Sequence, residues 1–171
     1  MTNYQILNTI KSDLPFIYWL FDEAIAFQKR KNVPVWPTYD KPVLNQDIEQ
    51  KLQYKIVKEG EIACIFTICY SDKIVWREHD KDDSIFLHRI VTNPKFKGQK
   101  LFEKVFEWSK KHAQEKGLKY VRMDTWGDNP NLIAYYQSFG FEKVEYFTTP
   151  DTEELPIQQR ENYVVLLEFK L

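Results

Sequence analysis

The segment from Ile90 to Leu101 combines residue types that could bind a phosphate group. An apolar, strand-like run that includes Val91 leads into a turn rich in lysine and glycine, and a long helix is predicted after Gly98. The first amides of a helix lack backbone acceptors and lie at the positive end of the helix dipole. Three lysines add positive charge around this turn: Lys95, Lys97 and Lys100. The pattern predicts an anion site, and a plain surface turn is the competing interpretation.

A second segment, Asn129–Phe141, has the pattern of a short helix between two strands. Gly140 is placed to end this helix, because glycine readily adopts the left-handed backbone that often follows a last helical turn. The apolar positions fit a helix that packs through Ile133, Tyr136 and Phe139. Packing explains those positions, but it does not explain the pairing of this segment with the upstream turn.

The composition limits the classes of protein that this chain can be. Its 171 residues suit one domain, and 24 basic against 25 acidic residues leave a formal charge of −1. A nucleic-acid-binding protein would usually carry a basic surplus, so that class is disfavoured. The three histidines show no metal-ligand spacing, and no metal is predicted. No signal peptide opens the chain and no apolar run approaches the roughly 20 residues of a membrane span. We therefore expect a cytoplasmic protein without a membrane partner.

The two cysteines, Cys64 and Cys69, fall within one apolar run. Their spacing in an extended strand places them on opposite faces, too far apart for a disulfide, and predicts two buried thiols. Neither has a histidine and an acid nearby in the sequence pattern, so a covalent acyl-enzyme is not expected.

Strand and helix patterns predict a single α/β (α+β) domain over residues 1–171, in the order β-α-α-β-β-β-α-β-α-β-β. Glu59-Gly60 is a turn signal that predicts a hairpin. Alternation of strands and helices in the second half favours parallel pairing at the sheet centre. The predicted strands cover residues 4–7, 53–57, 61–70, 84–92, 118–125, 141–147 and 163–169.

The predicted helices have clear starting or ending signals. The first follows Ser12 and Asp13, with an apolar stripe of Phe16, Leu20, Ala24 and Phe27, and ends near residues 29–31. Three prolines predict an irregular loop over residues 33–42. A short helix is predicted after Asn45, a long one between Gly98 and Gly117, and a third over residues 129–139.

Together the two segments resemble the GNAT superfamily of N-acetyltransferases. The second signature of that family is an Asn, a Tyr seven residues later, and a Gly-Phe four residues after that. Asn129, Tyr136 and Gly140-Phe141 have this spacing. The first signature is a strand followed by a glycine-containing turn, with which Ile90-Val91 and Lys97-Gly98 align. The resemblance covers roughly residues 84–147, and Leu87-His88-Arg89 is similar to a bacterial subgroup of unassigned substrate.

The resemblance implies a mixed, splayed central sheet of about seven strands, flanked by helices on both faces, that opens between its fourth and fifth strands. It also implies acetyl-CoA as co-substrate, bound through its pantetheine arm to the backbone of Ile90 and Val91 and through its diphosphate to the amides of residues 97–102. Asn129 would contact the CoA side. The implied cofactor-binding residues are Ile90, Val91, Lys97, Gly98, Gln99, Lys100, Leu101, Phe102 and Asn129.

By the same resemblance, an amine would attack the thioester directly, and Tyr136 would protonate the departing thiolate. A phenol has a reference pKa of about 10, so it is a proton donor at neutral pH. The proton of the amine needs an acceptor, for which the candidates are His88, Glu78, His79 and Asp124. The acceptor would be a small-molecule or peptide amine, and a homodimer is possible.

Two features keep other interpretations open. Lys100 and Phe102 stand where the family usually has Gly and Gly or Ala, which is compatible with a CoA-binding sensor without turnover. Three aromatic residues could line an acceptor pocket or dock a partner, and packing beneath a long loop is the favoured interpretation of them: Trp36, Tyr39 and Trp76.

Overall fold

The computed structural model describes residues 4–171, which form seven strands in one sheet of order β1-β2-β3-β4-β5-β7-β6. The first three strands are β1 (Tyr4–Asn8), β2 (Gln53–Lys58) and β3 (Glu61–Cys69), and they pair antiparallel. Glu59 and Gly60 join β2 to β3 with φ angles of 52° and 80°. Positive φ at both turn residues is what a two-residue hairpin turn requires, so the predicted hairpin is confirmed.

The second half of the sheet is mixed. Strand β4 (Ser84–Thr92) pairs parallel with β5 (Tyr120–Trp126). Strand β7 (Tyr163–Lys170) pairs antiparallel with both β5 and β6 (Glu142–Thr148). The predicted α/β class, the number of strands and the parallel central pair are therefore confirmed.

Five helices flank the sheet over the described range: α1 (Leu14–Lys31), α2 (Lys41–Glu49), α3 (Lys73–Trp76), α4 (Leu101–Glu115) and α5 (Pro130–Gln137). Two of them correct the sequence prediction. Helix α2 starts earlier than predicted, because Pro42 lies in its first turn, where a proline loses no helical hydrogen bond. Helix α3 lies within residues 71–83, which the sequence pattern predicts to be a polar, charged connection, and its Val75 and Trp76 are buried.

The buried face of α1 also differs from the predicted stripe. Ile17, Leu20 and Phe21 are fully buried, whereas Phe27 is 39% exposed. The predicted stripe therefore follows the wrong edge of the helix at its carboxyl end. Phe16 and Ala24 are partly buried against the same core.

The chain forms two compact units, and the borders between them run through β3, β4 and α4. The first unit comprises Met1–Thr67 and Arg89–Val105. Its core includes Leu44, Ile65 and Val91 together with the buried face of α1. The second unit comprises Ile68–His88 and Phe106–Leu171, and Trp76, Phe86, Leu155 and Leu166 lie in its core.

The described helices include none with the length and apolar character needed to cross a membrane.

Candidate active site

The turn between β4 and α4 is the predicted anion site, and it has a defined backbone. Asn93, which is 4% exposed, accepts a hydrogen bond from the Lys95 amide at 3.0 Å through its side-chain oxygen. Its side-chain nitrogen donates to the Ile62 carbonyl at 2.8 Å. Asn93 thereby fixes a short 3₁₀ turn, Pro94–Phe96, ahead of the lysine- and glycine-containing segment.

Two residues of this turn have a left-handed backbone, Gly98 at φ 81° and Lys100 at φ 54°. For a residue with a Cβ atom this conformation costs roughly 1–2 kcal/mol. Lys100 stands at the position that the family signature fills with glycine. The backbone of this chain therefore keeps the shape for which glycine is normally used, although the side chain differs.

The lysines of the turn have different surroundings. Lys95 is paired with Glu61 at 2.5 Å, so its charge is already compensated. The Lys97 ammonium lies 4.7 Å from the centre of the exposed Phe27 ring. Lys97 and Lys100 are exposed, and neither forms an ion pair with any residue in the range 4–171. These two lysines carry the uncompensated positive charge at the start of α4.

Three other members of the predicted cofactor set, Gln99, Leu101 and Phe102, have side chains that are held by the protein itself. The side-chain oxygen of Gln99 accepts a hydrogen bond from the Lys58 ammonium at 2.6 Å, and the Tyr4 hydroxyl approaches the same oxygen at 3.5 Å. Phe102 is 7% exposed and Leu101 is 3% exposed. Their side chains belong to the interior, so only their backbones are available to a ligand.

Strand β4 changes its backbone conformation at Arg89, which has a φ of 49°. The ladder between β4 and β5 covers four residue pairs and ends at Leu87 and Met123. A residue in a left-handed conformation within a strand interrupts regular pairing. Ile90 and Val91, the predicted pantetheine-binding residues, follow this irregularity and lie outside that ladder.

The irregular residue is locked by an ion pair that the sequence analysis did not find. Arg89 contacts Asp47 of α2 at 2.6 Å, and the side chains are 8% and 11% exposed. The pair joins residues 42 positions apart, and no local pattern in the sequence indicates it. A pair this buried is costly to break from one side, because the remaining charge stays in the interior.

In the second unit, His88 is the centre of a buried polar cluster. Its Nε2 lies 3.2 Å from Asp72 Oδ2, and its Nδ1 lies 3.9 Å from Asp124 Oδ1. The side-chain amide of Gln159 is 3.2 Å from Nδ1. We call these four residues the His88 cluster. Sequence analysis named His88 and Asp124, but it missed Asp72 and Gln159, which lie in loops without a recognisable spacing.

The electrostatics of the cluster favour a protonated imidazole. Burial alone lowers the pKa of His88, but interactions with Cys69 and Asp72 favour the cation more strongly, and the pKa stands well above its usual value. An opposite charge within a few ångströms has this effect. The raised pKa favours the protonated imidazole, whose two ring nitrogens lie toward carboxylates on different sides.

The contact with Cys69 corrects an expectation from the sequence. Cys69 is only half-buried, and it interacts with the His88 side chain, whereas the sequence pattern suggested no histidine or acid near either thiol. Cys69 ends β3 and His88 lies in the next strand, β4, so the two residues are distant in the chain. Cys64 is buried as expected, and burial raises its pKa to about 12.

Helix α5 carries the second signature. The side-chain oxygen of Asn129 accepts a hydrogen bond from the Leu132 amide at 3.1 Å and so caps the helix. Tyr136 is half-buried, with its ring 5.4 Å from that of Tyr135. At Gly140, with φ at 96°, a Cβ atom would lie 3.0 Å from the Phe169 ring. The Gly-Phe step therefore needs glycine for both its backbone and its space.

The other candidate bases form a separate group. His79 lies 3.5 Å from Glu145, and Glu145 also pairs with Arg77. The pKa of Glu78 is lowered by a hydrogen bond from its own backbone amide and by the charge of Arg77. A carboxylate with a lowered pKa is a weak base, which disfavours Glu78 as the proton acceptor.

Two groups among the described residues have the ligand atoms and spacing to hold a metal ion: Asp72, His88 and Asp124, and Glu78, His79 and Glu145. In the first group the two carboxylates approach different ring nitrogens of His88. This arrangement is that of an imidazole bridging two acids.

The aromatic residues of the long loop pack on the core of the first unit. The rings of Trp36 and Tyr39 lie 5.8 and 5.2 Å from that of Phe21. Burial and a hydrogen bond with Asp22 raise the pKa of Tyr39 to about 12. Trp76 is fully buried in the second unit. These positions support the packing interpretation of the three aromatics.

Comparisons with solved structures show the same fold. An acetyltransferase of the GNAT family from Listeria monocytogenes superposes with a TM-score of 0.80 at 20% identity, over 98% of this chain and 95% of its own. The ribosomal-protein-S18-alanine N-acetyltransferase of Escherichia coli gives 0.69 at 16% identity over 98% and 94%. A putative acetyltransferase from Salmonella typhimurium, solved with its cofactor acetyl-CoA, gives 0.65 at 15% identity over 98% and 94%.

At the sequence level, the uncharacterized N-acetyltransferase YesJ of Bacillus subtilis is 28% identical over 99 residues. The match covers 56% of this chain and 55% of that protein, so the chain spans about half the length of this relative. The model of the acetyltransferase (GNAT) family matches residues 21–141, which is well over half of the chain and includes both signature segments. The chain therefore belongs to the GNAT family of acetyltransferases.

Proposed function

We propose that this protein transfers an acetyl group from acetyl-CoA to an amine by direct attack in a ternary complex. The observation that carries the proposal is the left-handed backbone of Lys100 in the turn before α4. By the resemblance, Lys100 stands where the diphosphate-binding loop of the family has glycine, and its positive φ is a conformation that glycine readily adopts. The acetyl-CoA in the Salmonella relative supports the choice of cofactor.

The residues of the turn fit a diphosphate. Nothing lies within 4 Å of the position that a Cβ atom would take at Gly98, so a ligand can approach the backbone there. Lys97 and Lys100 supply two charges without ion-pair partners beside the amides at the start of α4. When bound, acetyl-CoA supplies an acyl carbon activated by its thioester.

Ile90 and Val91 hold the pantetheine arm in this proposal. Their backbone groups lie outside the ladder between β4 and β5, and an extended arm can pair with them as an added strand does. The buried ion pair between Arg89 and Asp47 of α2 fixes the part of β4 that directly precedes Ile90 and Val91. Asn129 acts on the CoA side mainly by fixing the start of α5, because its side-chain oxygen is used as the helix cap.

Tyr136 protonates the departing thiolate, and the His88 cluster handles the proton of the amine. Since its raised pKa favours the protonated imidazole, His88 must release its own proton before it can accept one from the amine. The rate should therefore rise with pH into the alkaline range, above the usual pKa of histidine. Asp124 is the alternative acceptor within the same cluster.

A CoA-binding sensor is the second candidate function. Lys100 and Phe102 replace the small residues of the family, which favours it; the Phe102 side chain is buried, so only the Lys100 side chain adds bulk near the proposed diphosphate.

A coupled measurement separates the two functions. The enzyme predicts that acetyl-CoA releases free thiol only when an amine is present, and that mass spectrometry detects an equal amount of acetylated amine. Binding of CoA without thiol release across a broad amine panel would support the sensor and contradict the transferase.

A further inference from the structure

Cys69 lies beside His88 in the second unit. It ends β3, and the neighbouring strand in the sheet is β4, which carries Phe86 and His88. Side chains two positions apart in a strand point to the same face, so Phe86 and His88 share one face of β4. Cys69 packs against the core that contains Phe86, and its sulfur shares a side-chain hydrogen bond with the His88 imidazole. Packing and hydrogen bonding therefore both place the thiol next to the imidazole.

The imidazole next to Cys69 is oriented by a carboxylate. His88 Nε2 lies 3.2 Å from Asp72 Oδ2, and the two side chains are 8% and 10% exposed. Asp72 is itself fixed, because its backbone amide donates a hydrogen bond to Asp80 Oδ2 at 2.7 Å. A thiol, an imidazole within hydrogen-bond reach and an acid that orients the imidazole form the arrangement that activates a cysteine nucleophile.

The two cysteines of the chain differ in exposure and in surroundings. Cys64 is fully buried, and burial raises its pKa to about 12, which keeps it in the thiol form at neutral pH. Cys69 is only half-buried and has an imidazole that can take its proton. The thiolate is the reactive form of cysteine. Cys69 is therefore both accessible and activated, whereas Cys64 is neither.

We infer that the group formed by Cys69, His88 and Asp72 is a peroxide-reactive site, at which hydrogen peroxide oxidises the Cys69 thiol to a sulfenic acid. Hydrogen peroxide suits this site because it is small enough to reach a half-buried sulfur and needs an acid to protonate its departing oxygen. The inference does not rest on the proposed function, since it concerns the thiol and not the transfer of an acetyl group.

The residues of the site balance the oxidation step. In the reactive form the thiol proton resides on His88, in agreement with the raised pKa of this imidazole. The Cys69 sulfur attacks one oxygen of hydrogen peroxide with its electron pair, and the bond between the two oxygens breaks. The departing hydroxide takes the proton from His88 and leaves as water. The sulfur loses two electrons, and the peroxide gains them.

The oxidised Cys69 needs an external reductant. The only other cysteine of the chain, Cys64, is fully buried and cannot form a disulfide with it. A low-molecular-weight thiol can condense with the sulfenic acid to give a mixed disulfide and water, and a second such thiol restores Cys69. Until then, the sulfur that contacts His88 carries an added oxygen. If His88 handles the proton of the amine, oxidation lowers turnover reversibly.

The first test measures the reaction on the natural protein. The reduced protein is treated with hydrogen peroxide in the presence of dimedone, which traps sulfenic acids, and peptide mass spectrometry locates the adduct. We expect the adduct on Cys69 and not on Cys64. An ordinary thiol is only a few per cent thiolate at neutral pH, so Cys69 should react about tenfold or more faster than glutathione. A rate at or below that of glutathione, or equal adducts on the two cysteines, would overturn the inference.

Two variants test the origin of the reactivity. His88→Gln removes the imidazole and should lower the oxidation rate of Cys69 about tenfold or more. Asp72→Asn keeps the imidazole but removes the charge that orients it, so it should lower the rate by a smaller factor. The matched control is His79→Gln, which removes a histidine of the same unit that contacts Glu145, and it should leave the rate unchanged.

Equal rates in the natural protein and all three variants would show that exposure alone explains the oxidation, and would overturn the inference. Labelling of Cys64 reports whether a variant has lost its fold, because this thiol is fully buried in the folded protein. If a variant unfolds, the comparison of natural Cys69 with glutathione decides the question by itself.

Turnover provides a separate readout. After peroxide is removed with catalase, the natural protein should acetylate its amine more slowly and recover with dithiothreitol, whereas Cys69→Ser should keep the rate that it had before treatment. Equal losses in both proteins would contradict a role for Cys69. The mass measurement needs neither acetyl-CoA nor an amine, so its failure leaves the proposed transferase standing, and failure of acetyl transfer leaves the peroxide site standing.

Discussion

At the scale of single residues, the backbone of Lys100 fits the family signature better than its side chain does, because its positive φ is one that the glycine of the signature readily adopts. The left-handed conformation costs free energy for lysine but not for glycine, so the surrounding turn must impose this conformation on Lys100. The turn as a whole was predictable from its lysines and glycine. The positive φ of Lys100 was not predictable, because lysine, unlike glycine, rarely adopts this conformation.

Tyr136 tests the proposed acid. The change Tyr136→Phe removes only a hydroxyl, so we expect kcat to fall about 100-fold, in the usual range for general acid catalysis, with the Kd for CoA unchanged. Steady-state kinetics and calorimetry measure the two quantities. The control is Tyr135→Phe, at an exposed neighbour on the same helix, which should keep normal turnover. An unaltered kcat in the Tyr136 variant would remove it as the acid.

His88 makes a prediction about stability and pH. Its pKa is raised in the folded protein, so its contribution to the free energy of unfolding is complete below pH 6.5 and is lost as the pH rises through the folded-state pKa. The difference in unfolding free energy between the natural protein and His88→Gln should therefore shrink at alkaline pH. Denaturant titrations at several pH values measure it.

His112 provides a control, because its pKa is shifted in the opposite direction to that of His88. Burial, followed by the charge of Lys116, lowers its pKa. Its contribution is present above pH 6.5 and is lost as the pH falls. His112→Gln should thus differ from the natural protein in a pH dependence that runs the other way. Equal slopes for the two variants would contradict the assignment of a cationic His88.

At the scale of elements, the proposed CoA site depends on helix α4 and the turn before it. Gly98→Val adds a branched side chain at φ 81° and crowds the space where the diphosphate is proposed to lie. We expect a loss of about 1–2 kcal/mol in unfolding free energy from the backbone alone, together with a CoA Kd at least tenfold higher.

Gly117→Val is the matched control, because Gly117 follows the other end of α4, has a φ of 68°, and also has open space at its Cβ position. It should lose similar stability and keep its affinity for CoA. Identical CoA affinities in both variants would move the cofactor away from the turn.

The sequence predicted which strands and helices form better than it predicted which of their side chains are buried or paired. The hairpin, the central parallel pair and α4 have strong local signals in Glu59-Gly60, the β4 run and the glycines around the helix. Phe27 was predicted in the apolar stripe but is exposed, and the burial of Trp76 was only one of the alternatives. Hydrophobicity does not tell which neighbour covers a side chain. Arg89 and His88 of β4 pair with Asp47 of α2 and with Asp72 ahead of α3, and no local sequence pattern indicates either pair.

At the scale of the whole molecule, the two units differ in formal charge: the first has a basic surplus, with 13 basic and 9 acidic residues, and the second has an acidic surplus, with 11 basic and 16 acidic residues. In the proposed function, the basic surplus of the first unit would complement the phosphates of CoA. Sequence composition alone concealed this, because the two surpluses nearly cancel.

Ionic strength should therefore weaken the binding of CoA. Salt screens exposed charges over about 10 Å at 0.1 M, and Lys97 and Lys100 are exposed. We expect the Kd for CoA, measured by calorimetry, to rise severalfold between low and moderate salt, and less so in a Lys97→Gln/Lys100→Gln variant. A flat response in the natural protein would mean that backbone amides alone hold the diphosphate.

The most direct test of the central claim is a calorimetric titration of the natural protein with CoA and, in parallel, with pantetheine, which lacks the diphosphate. If the turn before α4 grips the diphosphate, CoA binds with a clear heat signal and pantetheine binds at least tenfold more weakly. Equal affinities for the two, or no heat with CoA, would contradict the account.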